Sequence, residues 1–145
     1  MKSDSKDIVN WRNDLVTRQM SLTPNKISFN DHSNWYEASL KNPKRCLLLC
    51  IDSEIREKIG VVRFDRTGID ALISINLAPI SRGKGLAAKC LIQSIAYYTT
   101  QEPQVKTISA KIKRENIKSS KSFERAGFSF DREIGGVRYF TLEIR

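Results

Sequence analysis

The feature that most constrains the fold is a glycine-containing turn, PISRGKGLAAKCL (79–91). It follows the mostly apolar run ALISINLA (71–78), which predicts a central strand. It continues into an apolar periodicity that predicts a helix beginning at Leu86. Gly83 and Gly85 permit a tight backbone, and the turn also carries two basic residues at the N-terminus of that helix. A flexible backbone, positive charge and a helix N-terminus together predict an anion site, in the first instance for a phosphate.

Length and composition are typical of one globular domain spanning 1–145, with 40% hydrophobic and 28% charged residues. No apolar run approaches the roughly 20 residues of a membrane span, and MKSDSKDIVN does not resemble a signal peptide. We therefore expect a cytoplasmic protein. Cys46, Cys50 and Cys90 suit a reducing compartment. Without a CxxC pair or a histidine cluster, no metal site is expected.

The net charge of +9 is high for 145 residues. It is compatible with nucleic-acid binding, with a polyanionic cofactor or substrate, or with solubility alone. The cations are spread along the chain, and no strand combines aromatic and basic residues in the manner of an RNA-binding sheet. We therefore expect neither a nucleic acid nor a membrane as partner.

The first forty residues are predicted to form two helices. In the segment 7–20, Ile8, Trp11, Leu15 and Val16 recur at helical spacing. A second helix is expected to begin after Ser28, which stands three residues before an acidic residue, and to end at Asn42-Pro43.

The rest of the chain alternates strands and helices. Strands are predicted at 46–51, 58–65, 71–78 and 106–112, helices at 86–98 and 116–128, and a final hairpin around Gly135-Gly136. The order α-α-β-β-β-α-β-α-β-β predicts an α+β or mixed α/β domain.

Two familiar phosphate motifs fit the turn poorly. Gly83-x-Gly85-x-x-Ala88 matches a dinucleotide-binding fingerprint formally, but that motif belongs inside a parallel βαβ unit and the preceding strands look like hairpins. The P-loop of NTPases requires Ser or Thr after Gly-Lys, whereas Gly85 follows Lys84 here.

A third pattern fits better. Arg82-x-x-Gly85-x-Ala87 follows a strand and opens a helix, and Asn116, thirty-one residues after Gly85, opens a second element that ends in FERAGF (123–128). These two motifs, in this order of elements, resemble the GNAT superfamily of acetyl-CoA-dependent N-acetyltransferases. The resemblance implies a mixed, mostly antiparallel central sheet flanked by helices. Only MKSDSK precedes the first helix, so the first strand of the family is expected to be missing or very short.

The resemblance also implies how the cofactor, acetyl-CoA, is bound. The turn would hold the pyrophosphate of CoA, and the end of the central strand would hydrogen-bond its pantetheine arm, as would Asn116. The cofactor-binding residues implied in this way are Leu77, Ala78, Arg82, Gly83, Lys84, Gly85, Leu86, Ala87, Asn116, Ser119 and Phe123.

The chain departs from the family at two catalytic positions. Phe123 stands where many members have a tyrosine that protonates the CoA thiolate, and a phenyl ring cannot donate a proton. Ser119, Ser120 or a water molecule are the alternative candidates for the proton donor. Leu72 stands where many members have a glutamate as general base. Glu115, His32 or a water relay are the candidates for that role.

The N-terminal helices bear on the acceptor. Their sequence resembles GNAT enzymes that act on amino-sugar nucleotides, in particular the N-acetyltransferases of pseudaminic acid biosynthesis. Trp11, Arg12, Asn13 and Arg18 would then meet an anionic, stacking substrate such as a UDP-linked amino sugar. Equally, Trp11 could be a core residue and the arginines a solvated face. Protein N-termini and polyamines are alternative acceptors, a non-catalytic acyl-CoA-binding module is an alternative function, and the chain is expected to be a monomer or homodimer.

Overall fold

The computed structural model describes residues 2–145. Its elements follow the predicted order, with one additional short helix. They are α1 (Lys2–Asn13), α2 (Leu15–Met20), α3 (Phe29–Lys41), β1 (Arg45–Ile51), β2 (Lys58–Thr67), β3 (Asp70–Leu77), a 3₁₀ turn (Pro79–Ser81), α4 (Leu86–Gln101), β4 (Thr107–Lys113), α5 (Ile117–Arg125), β5 (Ser129–Ile134) and β6 (Val137–Glu143). No helix in the described part of the chain has the length and apolar character needed to cross a membrane.

The six strands form one sheet in the order β1-β2-β3-β4-β6-β5. Only the β3–β4 pair is parallel, which confirms the expected mixed, mostly antiparallel sheet. That pair is joined over three residues of each strand, Asp70–Leu72 against Thr107–Ser109. Beyond this point the two strands separate, so the middle of the sheet opens into a cleft.

The helices cover both faces of the sheet. On one face, alternate residues of β2 and β3 such as Phe64 and Ile73 pack against α4 and α5, and the Phe64 ring stacks on Tyr98 with centroids 3.9 Å apart. On the other face, Trp11 of α1 packs with Val61 in a second, smaller cluster. Burial on both faces explains why the middle of β2, from Ile59 to Val62, is continuously apolar.

The predicted helix over 7–20 is broken at Asp14. Asp14 has an extended backbone and begins α2, where its carboxylate accepts a hydrogen bond from Thr17 N at 3.2 Å. The break turns Leu15 and Val16 outward, with 62% and 49% of their surface exposed, so they do not share the buried face of Ile8 and Trp11. The spacing of apolar residues does not reveal this break in the helix, because the break is made by a polar capping side chain. Within the described residues, no strand precedes α1.

Local signals at the other element ends behave as predicted. Ser28 Oγ accepts from Asp31 N at 3.1 Å and caps α3. Gly127 follows α5 with φ 102°, and the Gly135-Gly136 pair has φ of 57° and 79° in the turn between β5 and β6. Such positive φ values are natural for glycine and strained for other residues.

Candidate active site

Two adjoining cavities lie where β3 and β4 separate. The large cavity, of about 760 Å³, is bounded by the centre of the sheet, α1, α3 and the segment 20–27. The small cavity, of about 410 Å³, lies between the glycine turn, α2 and α5. Ile75, Asn76, Asn116 and Ser119 line both. The two cavities therefore meet at the divergence of the strands.

The glycine turn has the conformation that an anion site requires. Gly83 and Gly85 have φ of 74° and 71°, and no atom lies within 4 Å of where a Cβ would stand on either. Gly85 is the N-cap of α4 and offers no side chain to cap it, so the first backbone N–H groups of that helix remain available. Both glycines, Leu86 and Ala87 line the small cavity, whereas Lys84 is exposed and does not.

Arg82 lines the small cavity but its guanidinium already has protein partners. Its Nη2 atom lies 2.8 Å from Asp14 Oδ2 and also donates to Thr17 Oγ1. The hydrogen bond that Arg82 donates to Asp14 is the main reason that the pKa of Asp14 lies below its ordinary value. Arg82 thus links the turn to the start of α2, a role that the phosphate-binding prediction did not include.

Three basic residues that sequence reasoning missed also line the small cavity. Lys118, Lys121 and Arg125 lie on α5 at spacings of three and four residues, which places them on one face of the helix. That spacing is visible in the sequence and indicates a basic face on this helix. The small cavity therefore combines open helix N–H groups with cationic side chains, as a polyphosphate needs.

The free edge of β3 faces the cleft. Ala78 N donates to Ile59 O at 2.8 Å, so Ala78 faces β2. Because backbone bonding alternates along an antiparallel pair, Leu77 and Ile75 direct their N–H and C=O groups the other way, where β4 has already diverged. Leu77 therefore fits the expected pantetheine-binding role. The N–H of Ala78 is occupied and Ala78 is 3% exposed, so it does not offer a free backbone donor to the cleft, whereas Ile75 lines both cavities.

The residues predicted on α5 reach the junction of the cavities. Asn116 Oδ1 accepts from Ser119 N at 3.3 Å and caps α5, and the Nδ2 donors remain for a ligand. Phe123 lines the large cavity while packing edge-on against Phe128, with centroids 5.1 Å apart. Ser119 lines both cavities, whereas Ser120 is 2% exposed, lines neither, and its hydroxyl has no hydrogen-bond partner in the described part of the chain.

Of the four predicted acceptor residues, only Arg12 lines the large cavity. Trp11 lies in the core, with 9% of its surface exposed. Asn13 donates to Ile27 O at 2.6 Å and accepts from Ile27 N at 2.7 Å. Arg18 donates to Pro24 O at 3.0 Å. Asn13 and Arg18 thus hold the segment after α2, which forms a wall of the cavity, instead of facing a ligand.

The two predicted proton acceptors have different positions. His32 lines the large cavity, is 3% exposed, and its Nδ1 lies 3.3 Å from Ser5 Oγ. Burial lowers the pKa of His32, so the ring is neutral near pH 7. Glu115 is exposed and lines neither cavity, so the structure does not bring it to the cleft. The carboxylate of Asp31, the residue before His32, does line the large cavity.

Comparisons with known proteins agree with this architecture. A family model described as "Acetyltransferase (GNAT) domain" matches residues 1–129. Among solved structures, spermidine N-acetyltransferase from Vibrio cholerae, in complex with CoA and spermine, is 20% identical with a TM-score of 0.84, covering 99% of this chain and 91% of its own. Aminoglycoside acetyltransferase AAC(6')-Ib, in complex with coenzyme A and kanamycin, is 19% identical with a TM-score of 0.79 and the same two coverages.

A domain from Methanocaldococcus jannaschii is 17% identical, with a TM-score of 0.83 and coverage of 99% and 94%. No curated protein sequence matches the chain. At these identities the solved structures support the fold, while the family model covers most of the chain. The chain belongs to the GNAT family of acetyltransferase domains, whose enzymes use acetyl-CoA.

Proposed function

We propose that this chain transfers the acetyl group of acetyl-CoA to the primary amine of a small molecule bound in the large cavity. The observation that carries the proposal is the continuity of the two cavities. A turn suited to phosphate lies at one end, the free edge of β3 lies in the middle, and a cavity of about 760 Å³ lies at the other end. Such a path suits a long donor that enters from the turn and meets its acceptor at the strand divergence.

The residues of the small cavity fit the donor. The N–H groups at the start of α4, together with Lys118, Lys121 and Arg125, match the negative charges of a pyrophosphate and a ribose phosphate. Ile75 and Leu77 offer N–H and C=O groups to an extended amide-containing arm, as an added strand would use them. Asn116 also lines the small cavity and offers the N–H donors of its side-chain amide to the same arm.

When bound, acetyl-CoA supplies an activated thioester, whose carbonyl carbon gains the acceptor nitrogen as the bond to sulfur breaks and CoA leaves as a thiolate. The residues of the chain orient the acceptor, polarise the carbonyl and receive a proton. A backbone N–H of Ile75 or Leu77 is suited to the carbonyl oxygen. An ammonium cannot attack, so the acceptor must lose a proton, and His32 and Asp31 are the imidazole and the carboxylate among the described residues that line the large cavity.

Departure of the sulfur does not depend on Phe123. A thiol with a pKa near 8.5 leaves reasonably well as a thiolate near neutral pH. Ser119 lines both cavities and is the hydroxyl best placed to hydrogen-bond the sulfur. Ser120 is unsuited because its buried hydroxyl lines neither cavity.

For the acceptor, we retain the amino-sugar nucleotide as first choice and the polyamine as second. Two of the similar structures carry the names of polyamine and aminoglycoside acetyltransferases, which is compatible with the second choice. The charge of the large cavity favours the first. Its lining includes Arg12, Arg63, Lys111 and Lys113 but, among the described residues, Asp31 as the sole carboxylate. A polycation would meet repulsion there.

Release of free CoA thiol in the presence of a panel of amines tests the proposal. We expect acetyl-CoA consumption that depends on the amine and saturates with it. Binding of acetyl-CoA without turnover of any primary amine would instead favour the non-catalytic acyl-CoA-binding module. Comparing the pH dependence of kcat/KM in His32→Gln and Asp31→Asn then identifies the proton acceptor, because only its loss removes the corresponding ionisation.

A further inference from the structure

Arg12 and Arg63 both line the large cavity, and within the described residues neither has a carboxylate to itself. Arg63 Nε lies 3.2 Å from Asp65 Oδ2, but Arg45 Nε lies 2.5 Å from the other oxygen of the same carboxylate. The single negative charge of Asp65 is therefore shared between the guanidiniums of Arg63 and Arg45. Arg12 Nη2 donates to the carbonyl and hydroxyl oxygens of Thr23, which are neutral partners.

Arg12 also has a donor without a partner. Its Nη1 atom is buried and makes no hydrogen bond within the described residues. A buried donor left unpaired is costly and uncommon in native proteins. Burial first, and then the like charges of Arg18 and Arg63, lower the pKa of Arg12.

The surroundings suit an anion that carries an organic group. The ring of Trp35 lines the cavity with the Arg63 guanidinium 5.8 Å from its centroid. Lys111 and Lys113 add positive charge on the β4 side. In the sheet register Arg63 stands directly opposite Ser74 of β3, on the face that bounds the large cavity. An anion held there would lie beside the strand whose free edge faces the cleft.

We propose that Arg12 and Arg63 form an anion subsite that recognises an acidic group, a phosphate or a carboxylate, on the acceptor amine. This inference rests on the proposed function, since it concerns the acceptor of the same reaction. Guanidiniums bind both acidic groups through paired N–H donors, and the unpaired Nη1 atom of Arg12 would gain a partner. The substrate class is therefore an amine that also carries an acid, which includes amino-sugar phosphates and amino acids but excludes polyamines.

Matched acceptors test the subsite directly. Glucosamine 6-phosphate is compared with glucosamine, and ornithine with putrescine, so that each pair differs in the acidic group. We expect kcat/KM for the better acid-bearing acceptor to exceed that of its acid-free partner by about tenfold or more, the size of one charge-assisted hydrogen bond. The first pair reports on phosphate and the second on carboxylate.

The variants are Arg63→Gln and Arg12→Lys, with Arg132→Gln as a control on β5. Asp65 keeps Arg45 as partner in Arg63→Gln, so that variant is expected to fold. Arg12→Lys retains the charge but loses the forked geometry. The acid preference should shrink about tenfold in either variant and remain in Arg132→Gln, whose side chain is 59% exposed.

The outcomes separate this inference from the proposed function. Acetylation of amines without any preference for the acidic group would overturn the subsite and leave the acetyltransferase activity intact. If no amine is acetylated, the proposed function fails, and calorimetric titration with UDP and with inorganic phosphate decides the subsite alone. Binding weakened about tenfold in Arg63→Gln supports it, and equal or absent binding in wild type and variant overturns it.

Discussion

Arg82 and Asp14 lie 68 positions apart in sequence and form an ion pair, with Nη2 and Oδ2 2.8 Å apart. The pair joins the glycine turn to the residue at which the first predicted helix is broken. The same carboxylate caps α2, so Asp14 serves both the local helix start and the attachment of the turn. The geometry of the small cavity therefore depends on a residue outside the glycine motif.

Asp14→Ala is expected to lower the free energy of unfolding by about 1–2 kcal/mol, because both the cap and the ion pair are lost. Asp14→Asn should cost less, since asparagine is also a good cap. Urea denaturation of both variants measures the difference. Since the pKa of Asp14 is lowered in the folded state, its stabilisation is present at pH values above its unfolded pKa and disappears as the pH falls through the folded one. Equal stability of wild type and Asp14→Ala at pH 7 would contradict this assignment.

Gly85→Ala is expected to weaken CoA binding about tenfold or more, since a Cβ would obstruct a phosphate at the turn. Gly68→Ala is the matched control. Gly68 has a φ of 65° and Gly85 one of 71°, and neither has an atom within 4 Å of the added Cβ, so the backbone strain is comparable. Calorimetric titration of CoA, with circular dichroism to verify folding, measures the effect. Equal affinities in the two variants would remove the turn from the CoA site.

Phe123→Tyr is expected to leave turnover nearly unchanged or to raise it, because the new hydroxyl can only add a proton donor near the sulfur. Phe123 is 2% exposed and packs on Phe128. An unpaired hydroxyl there would cost about 1–3 kcal/mol of stability. Steady-state kinetics and thermal unfolding give the two quantities. A large loss of turnover in a folded variant with unchanged CoA affinity would contradict the alignment of Phe123 with the family tyrosine.

Cys50 is expected to be the reactive cysteine. A hydrogen bond with the Cys90 thiol is the main cause that lowers the pKa of Cys50, while burial raises the pKa of Cys46. Iodoacetamide labelling followed by peptide mass spectrometry should therefore modify Cys50 first, with a pH midpoint below the ordinary cysteine value of about 8.5. In Cys90→Ala the midpoint should move toward the ordinary pKa of about 8.5. Preferential labelling of Cys46 would contradict the expectation.

The order of elements could be predicted because turn residues separate segments with clear periodicity. The break at Asp14 could not, because Leu15 and Val16 continue the apolar spacing and the break is fixed by a capping carboxylate that Arg82 also contacts. The pattern of apolar residues does not indicate which polar side chain will hydrogen-bond a backbone N–H group and begin a new helix.

The positions of the glycine turn, Leu77 and Asn116 beside the small cavity were predictable, since a local motif places them on a strand end and a helix start. Ile75 required the hydrogen-bond register of β3, and Arg63 required the pairing of β2 with β3. Asn13 and Arg18 were predicted to bind substrate, but they hold backbone carbonyl groups of a neighbouring segment. A polar residue on an amphipathic helix has many possible partners, and only tertiary structure selects among them.

Transfer of an acetyl group from acetyl-CoA to a primary amine is the reaction proposed for this chain. The most direct measurement is mass spectrometry of glucosamine 6-phosphate after incubation with isotope-labelled acetyl-CoA and the protein, with Gly85→Ala as the matched loss-of-binding control. We expect a product that carries one labelled acetyl group on nitrogen, formed catalytically by the wild type and much more slowly by the variant. Release of CoA to water with no acetylated amine, for this acceptor and for the wider panel, would contradict it.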